Sequence, residues 1–209
     1  MKLIIATPSP FARKARIALH EKGVPFDEEI TVPWNPGTSA PEYNPLGKIP
    51  ILICDDGRVV YDSRVILAYL DTLPGTPPMF PANAMLRIDA LQVEALADGV
   101  CDAVVLIAIE ARRKAELQSS DWVSRQSVKV DAGMAELDRL LGDKTYLVGG
   151  IFSVADIAAG SALGYTALRF PAHPWRTLFP RLAAYWQRLE ERPSFQKSRP
   201  SAQTIVEIG

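Results

Sequence analysis

The chain has 209 residues, of which 48% are hydrophobic and 22% are charged, and its 23 Lys and Arg against 24 Asp and Glu give a formal net charge of -1. This composition is typical of an ordinary soluble globular protein with one large or two modest cores. The basic residues form no run with interleaved aromatics, so nucleic acid is not expected as a partner. With two cysteines and two histidines, the sequence lacks the residues for a metal site, a disulfide framework or a histidine-based triad.

The first residues and the most apolar run both argue against membrane insertion. Residues 1–6 carry one charge and an apolar stretch far shorter than the core of a signal peptide, and polar residues follow at once. The run over 157–168 is well short of the roughly 20 residues that a membrane helix needs. We therefore expect a cytoplasmic protein without a membrane span.

The first third of the chain alternates strand and helix patterns. A β-α-β order followed by two adjacent strands predicts a mixed sheet. Asp55-Asp56-Gly57 is a hairpin signal between the last two strands, and Gly23 ends the first helix where a left-handed residue is wanted. The strands are predicted over 2–6, 26–32, 50–54 and 59–61, and the helices over 10–22 and 63–70.

Both predicted helices are amphipathic, and the second is expected to begin with a serine cap at Ser63. The helical period predicts which side chains face the core. In the first helix these are Phe11, Ala15, Ala18 and Leu19, whereas Arg13, Lys14, Arg16 and Glu21 lie largely off the buried stripe. In the second helix they are Val65, Ile66, Tyr69 and Leu70.

The segment 72–83 contains four prolines and a glycine, so regular structure is expected to break there. We place an N-terminal domain over 1–76, a linker over 77–83 and an all-helical domain over 84–209. Ser153 and Asp156 form a capping-box pattern at the start of a nearly charge-free helix, which predicts burial on all its sides. The helices of this domain are predicted over 84–116, 121–141, 154–168 and 178–192.

Ser9 precedes Pro10 at the start of the first helix, which is the sequence pattern of an N-cap. A capping serine accepts a backbone N–H through its oxygen and keeps its hydroxyl proton for another partner. Lowering a thiol pKa from about 8.5 to about 6.5 takes roughly 2.7 kcal/mol. One charge-assisted hydrogen bond supplies about 1.5 to 3 kcal/mol and the helix terminus up to about 1 kcal/mol. Ser9 can therefore both cap the helix and stabilise a thiolate.

Two other segments carry binding chemistry. Ile49-Pro50 enters a predicted strand, and its peptide bond is either an ordinary trans edge or a cis bond that turns the amide and carbonyl of Ile49 outward. Outward backbone groups can pair with an extended peptide, as an added strand would. At Asp62-Ser63, the serine is either a simple cap or a binding site for a carboxylate at a helix N-terminus. With Asp62 as a partner for an amine, this pair suits an α-amino acid headgroup.

Three motifs in order resemble the cytosolic glutathione transferases, in particular serine-type, bacterial-like members. They are Ser-Pro-Phe with Ile-Ala-Leu eight residues after the serine, Asn-Pro-Leu-Gly-Lys-Ile-Pro over 44–50, and Asp-Ser before an Ile-x-x-Tyr-Leu helix. The proline-rich linker, the capping box at Ser153 and the closing Arg-Pro-Ser-Phe over 192–195 fit the same family. The resemblance therefore covers nearly the whole chain.

The resemblance implies a thioredoxin-like α/β N-terminal domain that binds glutathione and an all-α C-terminal domain that shapes the second-substrate pocket. It implies no metal, and no cofactor beyond glutathione as cosubstrate. Members of the family are usually homodimers, and the long helix from Ala84 is similar to the one that usually forms their interface.

Each motif then has an implied role. Ser9 would donate to the glutathione sulfur, with the electrophile beside Phe11. The loop before the third strand and the start of the next helix would hold the rest of the tripeptide. Ile49, ahead of a cis Pro50, would pair with the cysteinyl backbone, Lys48 would lie near the glycyl carboxylate, and Asp62 and Ser63 would hold the γ-glutamyl end.

Some residues depart from the family pattern. The usual acid in the third motif is glutamate, and Asp62 is one methylene shorter, so Ser63 is the more secure ligand. The helix start has neither a cysteine nor a Ser-Ser-Cys-Ser run, which disfavours thiol transfer, deglutathionylation and maleylacetoacetate isomerisation. Thr7 is a rival hydroxyl at the end of the first strand, and Cys54 and Cys101 are interpreted as packed small hydrophobes.

The leading hypothesis is a detoxifying glutathione transferase that acts on a small hydrophobic electrophile. The alternative is a non-catalytic interaction or regulatory protein with the same fold, which the three intact motifs disfavour. The sequence does not specify the electrophile, and transferase, peroxidase and binding-only roles stay open, because the second pocket is built from non-contiguous side chains. Candidates for its lining are Val104, Val105, Ala108, Ile109 and Trp122.

Overall fold

The computed structural model describes residues 1–205. They form two compact units. The first unit comprises Met1–Met79 and the segment that begins at Pro193, and the second comprises Phe80–Arg192. The change of unit falls inside the proline-rich segment 72–83, and residues 206–209 of the predicted helical domain lie outside the described residues.

A four-stranded sheet lies in the first unit, in the order β2-β1-β3-β4. Strand β1 pairs parallel with β2 and antiparallel with β3, and β3 pairs antiparallel with β4. The predicted mixed sheet and hairpin are therefore confirmed. Leu3, Ile4 and Ile5 are fully buried, as expected for a central strand. The strands are β1 (Lys2–Ile5), β2 (Asp27–Ile30), β3 (Ile51–Ile53) and β4 (Val59–Val60).

The helices account for much of the remaining chain. The predicted helix over 10–22 is confirmed at both ends, and Gly23 follows it with a φ of 65° as the left-handed C-cap. The sequence analysis missed the short helices α2, α7 and α9, because one turn shows too little periodicity to recognise. The helices are α1 (Pro10–Lys22), α2 (Ala40–Tyr43), α3 (Ser63–Asp71), α4 (Ala84–Glu110), α5 (Ser120–Leu141), α6 (Val154–Arg169), α7 (Trp175–Leu178), α8 (Pro180–Glu190) and α9 (Pro193–Lys197).

Two cationic side chains of α1 are buried, contrary to the prediction that they lie off the core stripe. Arg13 is 2% exposed and Lys14 is fully buried. The Nη2 atom of Arg13 donates to the carbonyl of Phe195 at 3.3 Å, and its guanidinium carbon lies 5.3 Å from the centre of the Phe195 ring. The prediction is wrong because the chain returns at α9 and covers this side of α1.

The C-terminal segment belongs to the first unit and not to the helical one. The Ser194 hydroxyl donates to Glu21 on α1. Farther along, Thr7 Oγ1 donates to the carbonyl of Ser201 at 3.1 Å, and Gln203 donates to the carbonyl of Thr31 at 3.1 Å. The assignment of all of 84–209 to the helical domain is corrected accordingly, because these bonds attach the segment to α1 and the strand ends.

Helix α3 is capped by Asp62 and not by Ser63. The Oδ1 atom of Asp62 accepts the backbone N–H of Arg64 at 2.9 Å, and Ser63 is the first helical residue. The buried face runs through positions 63, 66, 67 and 70, which follow the helical spacing of three and four. Val65 is 51% exposed, so its predicted inward orientation is wrong.

The second unit consists of helices α4 to α8, and α6 is buried along most of its length, as its charge-free sequence predicted. Helix α4 stops at Glu110, six residues before the predicted end. The Glu110 carboxylate accepts the backbone N–H of Ser119 at 2.8 Å and Nη1 of Arg113 at 3.0 Å. These bonds fold the chain back toward α5. Within residues 1–205, no helix has the length and apolarity to cross a membrane.

The capping box at the start of α6 is confirmed and forms part of a buried network. The Asp156 carboxylate accepts the backbone N–H of Ser153 at 2.9 Å, the N–H of Leu147 at 3.0 Å and the hydroxyl of Tyr185 at 2.7 Å. Burial raises the pKa of Asp156, and these hydrogen bonds oppose that rise. Burial also raises the pKa of Tyr185 well above its ordinary value, so the phenol keeps its proton for this bond.

Candidate active site

Three loops meet at one end of the sheet. Because β1 and β3 are antiparallel and pair at Ile4 and Ile51, the start of β3 lies beside the C-terminal half of β1. Strand β4 pairs with β3 at Val60 and Leu52, so its C-terminal end points the same way as that of β1. The loops after β1 and β4 and the loop before β3 carry, in chain order, Ser9, Lys48-Ile49-Pro50 and Asp62-Ser63.

Ser9 is the N-cap of α1, as predicted. Its Oγ accepts the backbone N–H of Ala12 at 3.2 Å, and its extended backbone places it outside the helix proper. The hydroxyl proton of Ser9 has no acceptor among residues 1–205. The first turn of α1 has no acidic residue to neutralise the helix terminus. An anion beside Ser9 would therefore receive an O–H hydrogen bond at the positive end of a helix.

Thr7 is the weaker candidate of the two hydroxyl residues in this loop. Its Oγ1 donates to the carbonyl of Ser201 at 3.1 Å, so its proton already has a partner. Ser9 differs in that its oxygen is used as an acceptor and its proton is not used within the described chain. The arrangement favours Ser9 as the donor to a bound anion.

The loop before β3 is organised by a residue that the sequence analysis did not single out. Asn44 is 2% exposed, its Nδ2 donates to the carbonyl of Lys48 at 2.9 Å, and its Oδ1 accepts the N–H of Leu46 at 3.0 Å. The Ile49–Pro50 peptide bond is cis, which decides between the two alternatives left open above. The Asn-Pro pair was the available signal, because asparagine side chains commonly bond to the backbone two residues on in turns.

Asp62 and Ser63 form a polar pair at the start of α3. The Ser63 hydroxyl donates to Asp62 Oδ1 at 3.3 Å, and the same oxygen accepts the N–H of Arg64. The second carboxylate oxygen of Asp62 has no donor within residues 1–205, and the side chain is exposed. The second carboxylate oxygen of Asp62 can therefore accept hydrogen bonds from an ammonium group of a ligand. The N-terminus of α3, which lies beside it, favours a carboxylate group of the same ligand.

Both cysteines are buried. Cys54 is 4% exposed and Cys101 is 1% exposed. Cys54 forms a hydrogen bond with the hydroxyl of Tyr69, and this bond is the main cause that raises the pKa of Tyr69 to about 12. This burial agrees with the interpretation of both cysteines as packed side chains, since a reactive thiol needs access to its substrate.

Comparison with known families identifies both halves of the chain. Residues 8–73 match the model of the glutathione S-transferase N-terminal domain, and residues 120–188 match that of the C-terminal domain. The chain belongs to the glutathione S-transferase family. The family resemblance and the predicted fold, a thioredoxin-like α/β domain followed by a helical domain, are thereby confirmed.

Relatives of similar length extend the match over almost the whole chain. The GST-like protein YibF of Escherichia coli is 34% identical, with 96% of this chain and 98% of that protein covered. A Methylobacterium radiotolerans glutathione S-transferase, solved in complex with glutathione sulfonate, is 47% identical with a TM-score of 0.95, covering 99% of this chain and 97% of that one. A Methylobacillus flagellatus enzyme, solved with glutathione bound, is 38% identical with a TM-score of 0.92, covering 96% and 99% of the two chains.

Proposed function

We propose that this protein is a glutathione transferase in which the Ser9 hydroxyl donates a hydrogen bond to the sulfur of bound glutathione. The single observation that carries the assignment is the geometry of Ser9: its oxygen caps α1, and its proton has no acceptor within the described residues. The hydrogen bond and the helix terminus both favour the thiolate over the thiol. The thiolate sulfur then forms a bond to an electrophilic carbon, and the displaced group leaves with the bonding electron pair.

The other two loops supply a place for the rest of the tripeptide. The backbone of Ile49 pairs with the cysteinyl unit, and cis Pro50 follows it. Lys48 is exposed and its ammonium has no carboxylate partner among residues 1–205, so it is available to the glycyl carboxylate. Asp62 and the start of α3 at Ser63 hold the ammonium and carboxylate of the γ-glutamyl end. The electrophile lies beside Phe11 in the first turn of α1.

Calorimetric titration tests the proposal with two ligands. Glutathione and ophthalmate, its analogue without a sulfur atom, share both carboxylates and the ammonium group. We expect both to bind and glutathione to bind more tightly, because only its thiolate can use the Ser9 hydroxyl. A panel of aryl halides, epoxides, unsaturated carbonyls and peroxides then identifies the electrophile. Absence of glutathione binding at millimolar concentration would contradict the proposal and favour a non-catalytic interaction protein.

We also propose a homodimer formed through α4. Four apolar side chains near the start of this helix are exposed. Monomeric proteins rarely expose so much apolar surface in one place. The four side chains are Met85 at 69%, Ile88 at 54%, Leu91 at 39% and Leu86 at 37% exposure.

Light scattering is expected to give twice the chain mass of 22.9 kDa for the wild type and the single mass for Ile88→Glu. A buried carboxylate without a partner is costly, so the substitution should separate the chains. Leu178→Glu is the matched control, since Leu178 is 61% exposed on α7. A monomeric wild type, or an unchanged dimer in Ile88→Glu, would contradict the proposal.

A further inference from the structure

Asn44 is bonded to most of the residues in the loop that precedes β3. Its side chain bonds to the N–H of Leu46 and to the carbonyl of Lys48, and its own carbonyl accepts the N–H of Gly47 at 2.8 Å. The N–H of Asn44 donates to the carbonyl of Ala40 at 2.9 Å and so attaches the residue to α2. Asn44 therefore links α2 to three successive residues of the loop.

Little else in this loop is buried. Pro45 and Lys48 are exposed, and Leu46 is 71% exposed, so burial of apolar side chains does not hold the segment in place. In the Asn44 amide the oxygen only accepts and the NH2 group only donates, so its two partners also fix which way the amide points. The hydrogen bonds of one buried residue therefore set the path of the loop.

The peptide bond between Lys48 and Ile49 receives its orientation from Asn44. This bond is trans, and in a trans peptide the C=O and the N–H point in opposite directions. Because the Lys48 carbonyl points to Asn44, the Ile49 N–H points away from it, and within residues 1–205 that N–H has no acceptor. The Ile49 side chain packs against the core cluster that contains Ile4 and Ile51. Ile49 is thus held by the core through its side chain and by Asn44 through its peptide group.

We propose that Asn44 is the positioning residue of this loop and gives the site its selectivity for the whole tripeptide, an inference that rests on the proposed function. Its bond to the Lys48 carbonyl directs the Ile49 N–H to the cysteinyl carbonyl of glutathione and places the Lys48 ammonium for the glycyl carboxylate. Asn44 touches neither group of the ligand and acts only through the two residues that it orients. Without Asn44 the ligand itself must order the loop, and its binding is weakened by the cost of that ordering.

Two ligands test the role of Asn44 in calorimetric titrations: glutathione and γ-glutamylcysteine, which lacks the glycyl residue. Asn44→Asp removes the donor to the Lys48 carbonyl and keeps an oxygen for the Leu46 N–H. We expect the Kd for glutathione to rise about three- to tenfold, which is the effect of one net hydrogen bond. The Kd for γ-glutamylcysteine should rise less, because that ligand makes no contact with the Lys48 ammonium. With saturating glutathione, kcat of conjugation should stay within about twofold, since the sulfur is held at Ser9.

Two further variants serve as reference and control. Lys48→Ala removes the contact with the glycyl carboxylate and should also lower the preference for glutathione over γ-glutamylcysteine. Adding Asn44→Asp to Lys48→Ala should then change that preference little further. Asn83→Asp makes the same exchange at the N-cap of α4, where the side-chain oxygen accepts the N–H groups of Met85 and Leu86. Aspartate caps a helix as well as asparagine does, so this control should change neither Kd.

Hydrogen exchange of the ligand-free protein tests the loop without glutathione. The Gly47 amide, whose acceptor is the backbone carbonyl of Asn44, should exchange faster in Asn44→Ala than in the wild type, because the loop is held less firmly. Asn44→Ala buries no charge, and it also replaces Asn44→Asp in the titrations if melting curves show that Asn44→Asp does not fold.

The role of Asn44 and the proposed function can fail separately. A wild type that binds glutathione, together with an unchanged Kd in Asn44→Asp, an equal rise for both ligands or a loss confined to kcat, would overturn the role of Asn44 alone. Equal exchange of the Gly47 amide in Asn44→Ala and the wild type would do the same. Absence of glutathione binding by the wild type would contradict the proposed function, and with it the selectivity assigned to Asn44.

Discussion

Replacing Ser9 with glycine is expected to raise the pKa of the bound glutathione thiol by about 1 to 2 units. A charge-assisted hydrogen bond is worth about 1.5 to 3 kcal/mol, and each pKa unit corresponds to about 1.36 kcal/mol. The helix terminus remains in the variant, so part of the thiolate stabilisation should persist. For a wild-type thiol pKa of about 6.5, the thiolate fraction at pH 7, and with it the rate of conjugation, should fall about 3- to 25-fold.

Glycine is a better replacement for Ser9 than alanine, because it removes the hydroxyl with less loss of helix stability. Ser9 caps α1 through its bond to Ala12, and an N-cap exchanged for alanine costs about 1 kcal/mol, whereas glycine costs only a few tenths. Ser9→Thr keeps a hydroxyl at the same place and should retain most of the activity. Thr7→Val removes the neighbouring hydroxyl, whose proton is donated to Ser201, and should leave the thiol pKa unchanged.

The measurement is the ultraviolet absorbance of the thiolate during a pH titration of the glutathione complex. The stabilised thiolate should appear at lower pH in the wild type than in Ser9→Gly. Equal titration curves for the two proteins would contradict the role of Ser9, and loss of the signal in Thr7→Val would transfer it to Thr7. Unchanged binding of ophthalmate, which has no sulfur, in both variants would show that the tripeptide site itself is intact.

Helix ends could be predicted from the sequence, because the residues that cap a helix lie next to its ends along the chain. Pro10 after Ser9 and Gly23 after Lys22 fix both ends of α1, and the bounds of that helix were predicted correctly. The capping box of α6 was visible for the same reason, since both partners lie within one turn. The predicted strands are longer than the strands in the structure. A strand ends where its pairing with a neighbouring strand ends, and the β-propensity of its residues does not show that point.

The parts that were missed depend on contacts between distant segments. Nothing near Arg13 indicates that Phe195, far along the chain, will cover it. Long cationic side chains are also able to bury their aliphatic stems, so their charge alone is a poor guide to exposure. At α3 the error was one position, because Asp62 and Ser63 are both good cap residues and only the geometry distinguishes them.

The candidate site shows the same division. The residue types at the three loops were visible in the sequence, and their meeting at one end of the sheet follows from the strand pairing. Asn44 was missed because its role is to hold the backbone of a loop and not to carry a reactive group.

Asp156 carries the largest stability effect that we expect. Replacing it with alanine leaves the buried donors of Ser153, Leu147 and Tyr185 without an acceptor. Each unsatisfied group costs about 1 to 3 kcal/mol, and partial relaxation brings the expected loss to about 3 to 5 kcal/mol in the free energy of unfolding. For a chain of this size the melting temperature should fall by about 10 °C.

Ser119→Ala provides the control for an ordinary cap. Ser119 caps α5 through the N–H of Trp122 at 3.2 Å and lies at the surface, so its loss should cost about 1 kcal/mol. Denaturant unfolding of the two variants measures the difference. An effect of Asp156→Ala no larger than that of Ser119→Ala would show that the network does not hold the second unit together.

The pH dependence gives Asp156 a signature that simple loss of packing would not show. Because burial raises the pKa of this carboxyl in the folded state, the native protein keeps the proton at pH values where the unfolded chain has released it. The contribution of Asp156 to stability is therefore greatest below the ordinary pKa of about 3.9 and declines as the pH rises through the raised value. The stability difference between wild type and Asp156→Asn should shrink over that interval and then stay constant. A difference that instead grows with pH would mean that the hydrogen bonds from Leu147, Ser153 and Tyr185 outweigh the burial of the charge.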